Sequence, residues 1–293
     1  MKLGVFCPLA SPAADAAYVR AFGETAEGLG FDSLWVAEHV VLFDEYGSKY
    51  PYSPDGRIPA RPTSGVLEPL TSLAYLAAVT SRIRLGTGIL LVPQRNPVYT
   101  AKEATNIDWL SGGRLDLGVG VGWLAEEFRA VGVPWARRGE RTRSYVEVMR
   151  RLWRDEVSEY KDEFYELPAC RQFPKPLQKP SVPIHFGGES DAALQRSADL
   201  GQGWYGFNLE PDGVAERLSR LDPMLAANGR KRSDLLVSVS PYLREMTPAK
   251  LEAYRRAGAD QVILIAMARD REALRAALEK LAEQYLPTAR RLA

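Results

Sequence analysis

A closed (β/α)8 barrel of the TIM type, with insertion loops at its C-terminal face, is the fold the sequence predicts. Three observations lead to it. Eight short runs rich in β-branched and aromatic residues punctuate the chain, amphipathic helical stretches separate them, and several runs are apolar almost without interruption. Uninterrupted apolar strands suit a parallel sheet covered on both faces, whereas a half-exposed strand alternates. Regular exchange of strand and helix makes the sheet parallel. Eight strands in 293 residues favour closure into a barrel over an open doubly wound sheet.

Taken in order, the strand runs begin near Leu3 (LGVFC), Ser33 (SLWVAEH), Ile83 (IRLGTGILL), Leu115 (LDLGVGVG), Val182 (VPIHFGG), Gly203 (GWYGF), Leu235 (LLVSVS) and Gln261 (QVILIA). Between them the 3.6-residue period gathers apolar side chains on one face. Tyr145, Val148, Met149, Leu152 and Trp153 do so on one helix, Val214, Leu218, Leu221 and Leu225 on another, and Leu274, Leu278, Leu281 and Tyr285 near the C-terminus. Asp15 and Asp191 are expected to cap helices, and Thr247-Pro248 pairs a cap with proline at the first helical position. Two intervals break the rhythm. Residues 40–67 are rich in Pro, Gly, Tyr and Ser, and residues 159–183 carry Pro168, Pro174, Pro176, Pro180 and Pro183. Neither reads as a long regular element, and loops of this length are commonly functional. Both are read as insertions in one domain spanning residues 1–293, and either is placed to arch over the active face.

Composition excludes several classes. With 38 basic and 37 acidic side chains the net charge is +1, so no basic excess points to nucleic acid. Cys7 and Cys170 are too few for a disulfide framework, and with two scattered histidines they lack metal-ligand spacing. The apolar run from Leu3 to Phe6 is too short for a signal peptide, and no stretch is long enough to span a bilayer. A cytoplasmic protein is expected.

Barrel chemistry takes place at the C-terminal ends of strands, which narrows the search. His39 ends the second strand run, where an imidazole can move a proton near neutral pH; as a structural residue it would only be hydrogen-bonded there. His185 sits within the fifth run and reads first as a core histidine. Gly86 and Gly88 interrupt the third run, marking a bulge or a close backbone approach, either to a planar ligand or to a packed neighbour. Gly118, Gly120 and Gly122 alternate along the fourth run and leave space on one face, for a ring system or for an adjacent strand or helix. The turn Gly187-Gly188-Glu189-Ser190-Asp191 leads into a helix whose N-terminal N–H groups suit an anion, or serves simply as a capped turn. Trp204, Tyr205, Gly206 and Phe207 end the sixth run, as pocket or as core. Phe43, Tyr46, Tyr50 and Tyr52 of the first insertion would cover a substrate or pin their own loop.

Four segments together resemble the bacterial-luciferase-like family of flavin- and deazaflavin-dependent oxidoreductases: GLGFDSLWVAEH, TSRIRLGTGILLVPQRNPV, AKEATNIDWLSGGRLDLGVGVGWLAEEF and PIHFGGESDAALQRSADLGQGW. The likeness runs from Met1 to about Asp199 and loosens afterwards. It implies a flavin-type ring at the strand ends and a bulge after the third strand, often with a non-proline cis peptide, here Gly88-Ile89. It places Thr87, Gly88, Ile89, Gly120, Gly122 and Trp123 beside the ring, has Gly187, Gly188 and Ser190 hold a phosphate with Gly206 and Phe207 nearby, and turns His39 toward the cofactor. YPYSPDGR in the first insertion, with GVGWLAEEF, is most similar to the coenzyme F420 branch. One departure stands out: Trp123 occupies a position where several deazaflavin enzymes carry glutamate, so that residue's proton-donor role does not transfer. Glu126 and Glu127 follow on a helix and read as surface or capping residues.

The resemblance implies hydride transfer between F420 and a small organic substrate, with His39 moving a proton. A second reading is a monooxygenase using reduced FMN and oxygen with a partner reductase; a third is a protein that binds a flavin without catalysis. A homodimer is implied. Arg57, Arg61, Arg95, Arg129 and Arg137 are basic residues to weigh against an anionic cofactor tail, although most read as solvated.

Overall fold

The computed structural model describes residues 1–60 and 63–293, so Arg61 lies outside the described residues. The elements follow in the order β1 (Lys2–Phe6), α1 (Ala16–Leu29), β2 (Ser33–Val36), α2 (Pro69–Val79), β3 (Arg84–Thr87), α3 (Pro97–Ser111), β4 (Leu115–Val119), α4 (Ala125–Ala130) and α5 (Arg138–Arg154). Then come β5 (Ser158–Lys161), β6 (Glu166–Cys170), β7 (Ile184–Gly187), α6 (Asp191–Leu200), β8 (Gly203–Phe207), α7 (Pro211–Ala227), β9 (Leu236–Ser240), α8 (Pro248–Arg256), β10 (Gln261–Ile265) and α9 (Arg271–Arg291). All strands except β5 and β6 close a barrel in the order β1-β10-β9-β8-β7-β4-β3-β2, the eight runs read from the sequence. Every pair is parallel; β1 meets β10 in the register Lys2 to Gln261 through Phe6 to Ile265.

Alternation along the strands divides the core in two. Leu3, Val5, Leu34, Leu85, Leu117, Phe186, Val237 and Val262 point outward and pack with the helices, whose buried faces include Leu218, Leu221 and Leu225. Phe6, Trp35, Tyr205 and Ile263 point inward. Trp35 fills much of the interior: a Cβ on Gly86 would meet its indole ring, and its Nε1 donates to Ser33 Oγ at 2.8 Å. Gly86 is therefore a packing glycine for this chain's own planar side chain. Beneath lies a polar floor, where Asp116 accepts from Arg84 Nε at 2.5 Å and lies 3.4 Å from His185 Nε2. Burial opposes the charged form of Asp116, but His185 and Arg84 outweigh it and hold the carboxyl down at about 2. His185 is thus a core histidine.

Caps fall at or beside the expected residues. Asp15 accepts from Tyr18 N–H and Thr247 from Lys250 N–H, with Pro248 next. For α6 the cap is Ser190, whose Oγ reaches Ala193 N–H; Asp191 is already the first helical residue, which corrects the expectation.

Only the first insertion lies over the C-terminal face. The second contains the antiparallel hairpin β5–β6, packed along α5, with Asp162 accepting from Ser144 and Glu163 paired with Arg137. Its proline-rich leg runs to the opposite end of the barrel, where Leu177 N–H and Gln178 N–H donate to buried Asp108 and Gln178 Nε2 donates to Leu115 O, at the start of β4. The reason is chain direction. This segment leaves the end of a helix, not the end of a strand. Among the described residues, no helix is long and apolar enough to cross a membrane and no His/Cys/Asp/Glu cluster could hold a metal ion. Both cysteines are free.

Candidate active site

A cavity of about 600 Å³ opens at the C-terminal ends of the strands beneath the first insertion. Of the residues singled out from sequence, His39, Gly88, Ile89, Gly122, Trp123, Gly187, Gly188, Ser190 and Phe207 line it. Thr87, Gly120 and Gly206 do not. Thr87 is buried and donates its hydroxyl to Gly118 O at 2.6 Å. A Cβ on Gly206 would face Trp204 and Leu209.

The glycines of β4 make space, but the chain itself takes it. A Cβ on Gly118 would overlap Thr87 O, and one on Gly120 would overlap Ile89 Cδ1. Between these contacts β3 bulges. Gly88 N–H donates to Val36 O, and Leu90 resumes pairing, donating to Gly118 O at 2.7 Å and accepting from Gly120 N–H at 2.9 Å. The Gly88-Ile89 peptide is cis, as the resemblance implies. Ile89 is thereby presented at the cavity wall.

Two glutamates of α4 hold the lid. Glu126 accepts from Gly47 N–H at 2.8 Å and Ser48 Oγ at 2.7 Å, and buried Glu127 accepts from Val40 N–H at 2.7 Å. Neither is a plain surface residue, which corrects the sequence reading. Tyr50 and Tyr46 then pack edge-on against Trp123, and Trp123 against His39 at 5.8 Å between ring centroids. Tyr52 reaches across to Glu189, donating its hydroxyl at 3.2 Å, while Phe207 N–H donates to the same carboxylate at 2.9 Å. Burial pushes the Glu189 carboxyl above its usual range. Beside His39, Glu38 is buried and paired with Arg95, which also binds Glu68. Arg95 is thus neutralised by structure. Arg137 is paired with Glu140 and Glu163 on the exterior.

The far end of the cavity is basic. Gly188 adopts φ +111°, turning the chain into α6 so that the helix N-terminus faces the space. Arg196, the sixth residue of α6 and 8% exposed, lines the same end, and among the described residues it has neither an ion pair nor a hydrogen bond. Burial, with Arg143 and Arg138 nearby, pushes its guanidinium down to about 10. Arg143 is paired with Asp199, whereas Arg138 only stacks on Trp135 and donates to Gly122 O at 3.3 Å. A buried cation without an anion is unfavourable unless a ligand supplies one. Sequence reasoning missed Arg196; its one signal was its spacing, on the inward face of a helix that begins at a glycine turn.

The chain matches the luciferase-like monooxygenase family over residues 1–293. An uncharacterised protein of Mycobacterium tuberculosis is 33% identical over 261 residues, 88% of this chain and 90% of its own. The FMNH2-dependent dimethylsulfone monooxygenase of Pseudomonas putida is 30% identical over 165 residues, 55% of this chain and 45% of that one. The coenzyme F420-dependent tetrahydromethanopterin reductase of Methanopyrus kandleri superposes with a TM-score of 0.77 at 16% identity, over 98% of both chains, a likeness of fold.

Proposed function

The chain belongs to the luciferase-like monooxygenase family of oxidoreductases, and from that premise we propose that it binds coenzyme F420 and transfers a hydride to or from a small organic substrate. The observation that carries a phosphate-bearing cofactor is Arg196, a buried guanidinium without a partner beside the Gly187-Gly188 turn. A cofactor phosphate there would take Arg196, Ser190 and the N–H groups at the head of α6, with Arg138 adding charge. The bulge at Gly88-Ile89 would support one face of the ring, with Trp123 and Phe207 around its rim. A deazaflavin, when bound, supplies a carbon that gives or accepts a hydride. This chain's own part is to orient the substrate over that carbon, exclude water beneath the lid, and hold or move a proton at His39. The choice of F420 is supported by YPYSPDGR in the lid together with GVGWLAEEF. Reduced FMN is the second reading, favoured by the likeness to the dimethylsulfone monooxygenase.

Titration with F420 and FMN, oxidised and reduced, followed by tryptophan fluorescence, tests the proposal, since Trp123 lines the cavity. Tight F420 binding with weak FMN binding is expected; preference for reduced FMN would establish the second reading, and binding of neither would sink both. A homodimer and a partner that reduces the cofactor belong to the same proposal. Sedimentation equilibrium checks the first.

A further inference from the structure

The reading above leaves Glu127 only the work of anchoring a loop, yet its carboxylate sits against the imidazole. Oε1 accepts from Val40 N–H and lies 3.5 Å from His39 Nδ1, while Oε2 accepts from Gln94 Nε2 at 3.2 Å. No other carboxylate lies within 4 Å of a ring nitrogen of His39 among the described residues. Nδ1 is buried and makes no hydrogen bond among the described residues, and Glu127 Oε1 at 3.5 Å is the carboxylate within reach of it. Trp123 packs edge-on against the ring, which lines the cavity, and Nε2 has no hydrogen-bond partner among the described residues. A neutral imidazole carries one proton, and the partner of one nitrogen decides what the other offers.

We propose that Glu127 is the positioning residue for His39, holding the neutral ring in the Nδ1–H tautomer and turning the Nε2 lone pair to the cavity as a proton acceptor. Uptake of a proton at Nε2 then makes an imidazolium directly beside a buried carboxylate, so the positive charge forms where its counter-ion already stands. Imidazole side chains in water favour the opposite tautomer, so the acceptor has a measurable task. That His39 handles the proton of the reaction rests on the cofactor reading; the tautomer does not.

The test is long-range 1H–15N correlation on 15N-labelled protein in alkaline buffer. The chain has two histidines, and His39→Asn assigns them. The expected wild-type spectrum has a pyrrole-type Nδ1 and a pyridine-type Nε2 at His39. Glu127→Gln, a weaker acceptor that can still take the Val40 N–H, is expected to lower the Nδ1–H to Nε2–H ratio at least threefold. The His185 signals at the barrel floor should stay unchanged and so report an intact fold. A wild-type His39 protonated at Nε2, or a ratio indifferent to Glu127→Gln, would overturn the proposal. The wild-type spectrum decides the first point even if the variant does not fold. It needs no cofactor, so failure of the F420 titration and failure of this inference are separate results.

Discussion

The two long insertions are alike in their proline content and opposite in placement. The described residues of the first insertion, 40–60 and 63–67, leave strand β2 and close over the cavity, while residues 159–183 leave helix α5, run back along it and end beneath the barrel. What separates them is polarity. In a parallel barrel, connections that leave a strand emerge at the C-terminal face and connections that leave a helix emerge at the other. Proline content told only that neither would be regular. The anchors differ in kind as well: the lid hangs from carboxylates at the edge of the cavity, and the lower segment from a carboxylate within the helix layer.

The comparison is broken most forcefully at Asp108. Asp108→Ala strands the donors of Leu177 and Gln178 and is expected to cost about 3 kcal/mol, lowering Tm by on the order of 5–10 °C in calorimetry, with cofactor affinity unchanged. A loss of affinity would mean that the lower segment does reach the site. Next in size, Arg196→Ala should weaken F420 or FMN binding roughly 30-fold, about 2 kcal/mol for a charged hydrogen bond. The same change should leave the ligand-free protein as stable or more so, because it removes a buried cation near two others. Arg171→Ala in the lower segment, an exposed ion pair with Glu156, should leave binding within about twofold. Glu126→Ala, at ~1 kcal/mol smaller than the Arg196 effect, frees the lid at Gly47 and Ser48. Faster tryptic cleavage at Lys49 or Arg57, with Tm nearly constant, is the expected sign.

The smallest effect sharpens the contrast between the two faces. Glu189, under the lid, has its carboxyl raised by burial, so between the usual 4.5 and its folded value the native state holds the extra proton and stability falls as pH rises. Glu189→Gln should match the parent near pH 4 and exceed it near neutrality. Glu27, at the opposite face, works the other way. Burial opposes its charge, but the N–H groups of Ile83, Arg82 and Ser81 prevail and lower it to about 2, so its contribution is present above 4.5 and fades as pH falls toward 2. Urea titrations across pH for Glu189→Gln and Glu27→Gln check both signs; parallel curves would refute the contrast.

The barrel was legible because its signals are local. A strand buried on both faces is apolar throughout, and a cap or a proline acts within one turn. The cavity wall was legible in Gly88, Gly122, Gly187, Gly188 and His39, which sit at or just beyond strand ends. The site was not legible in Glu126, Glu127, Arg196 and Glu189, whose helix or turn positions look solvated until partners arrive from elsewhere: Val40 lies 87 residues from Glu127, and Tyr52 lies 137 from Glu189. The space beside the β4 glycines was legible and so was a neighbouring strand as its occupant; that the occupant at Gly120 is the bulged Ile89 was not, because a bulge in one strand leaves no mark in its neighbour.

That fit between strands has an evolutionary consequence. A Cβ at position 120 would meet the tip of Ile89, Cδ1, so a side chain there requires Ile89 to turn away from its present place at the cavity wall. The two positions are coupled. A search that varies one residue at a time would find substitutions at Gly120 costly, whereas a library that first trims Ile89 would find them easier. The mutational path around the cavity is thus a matter of order, with one door that opens more easily after another.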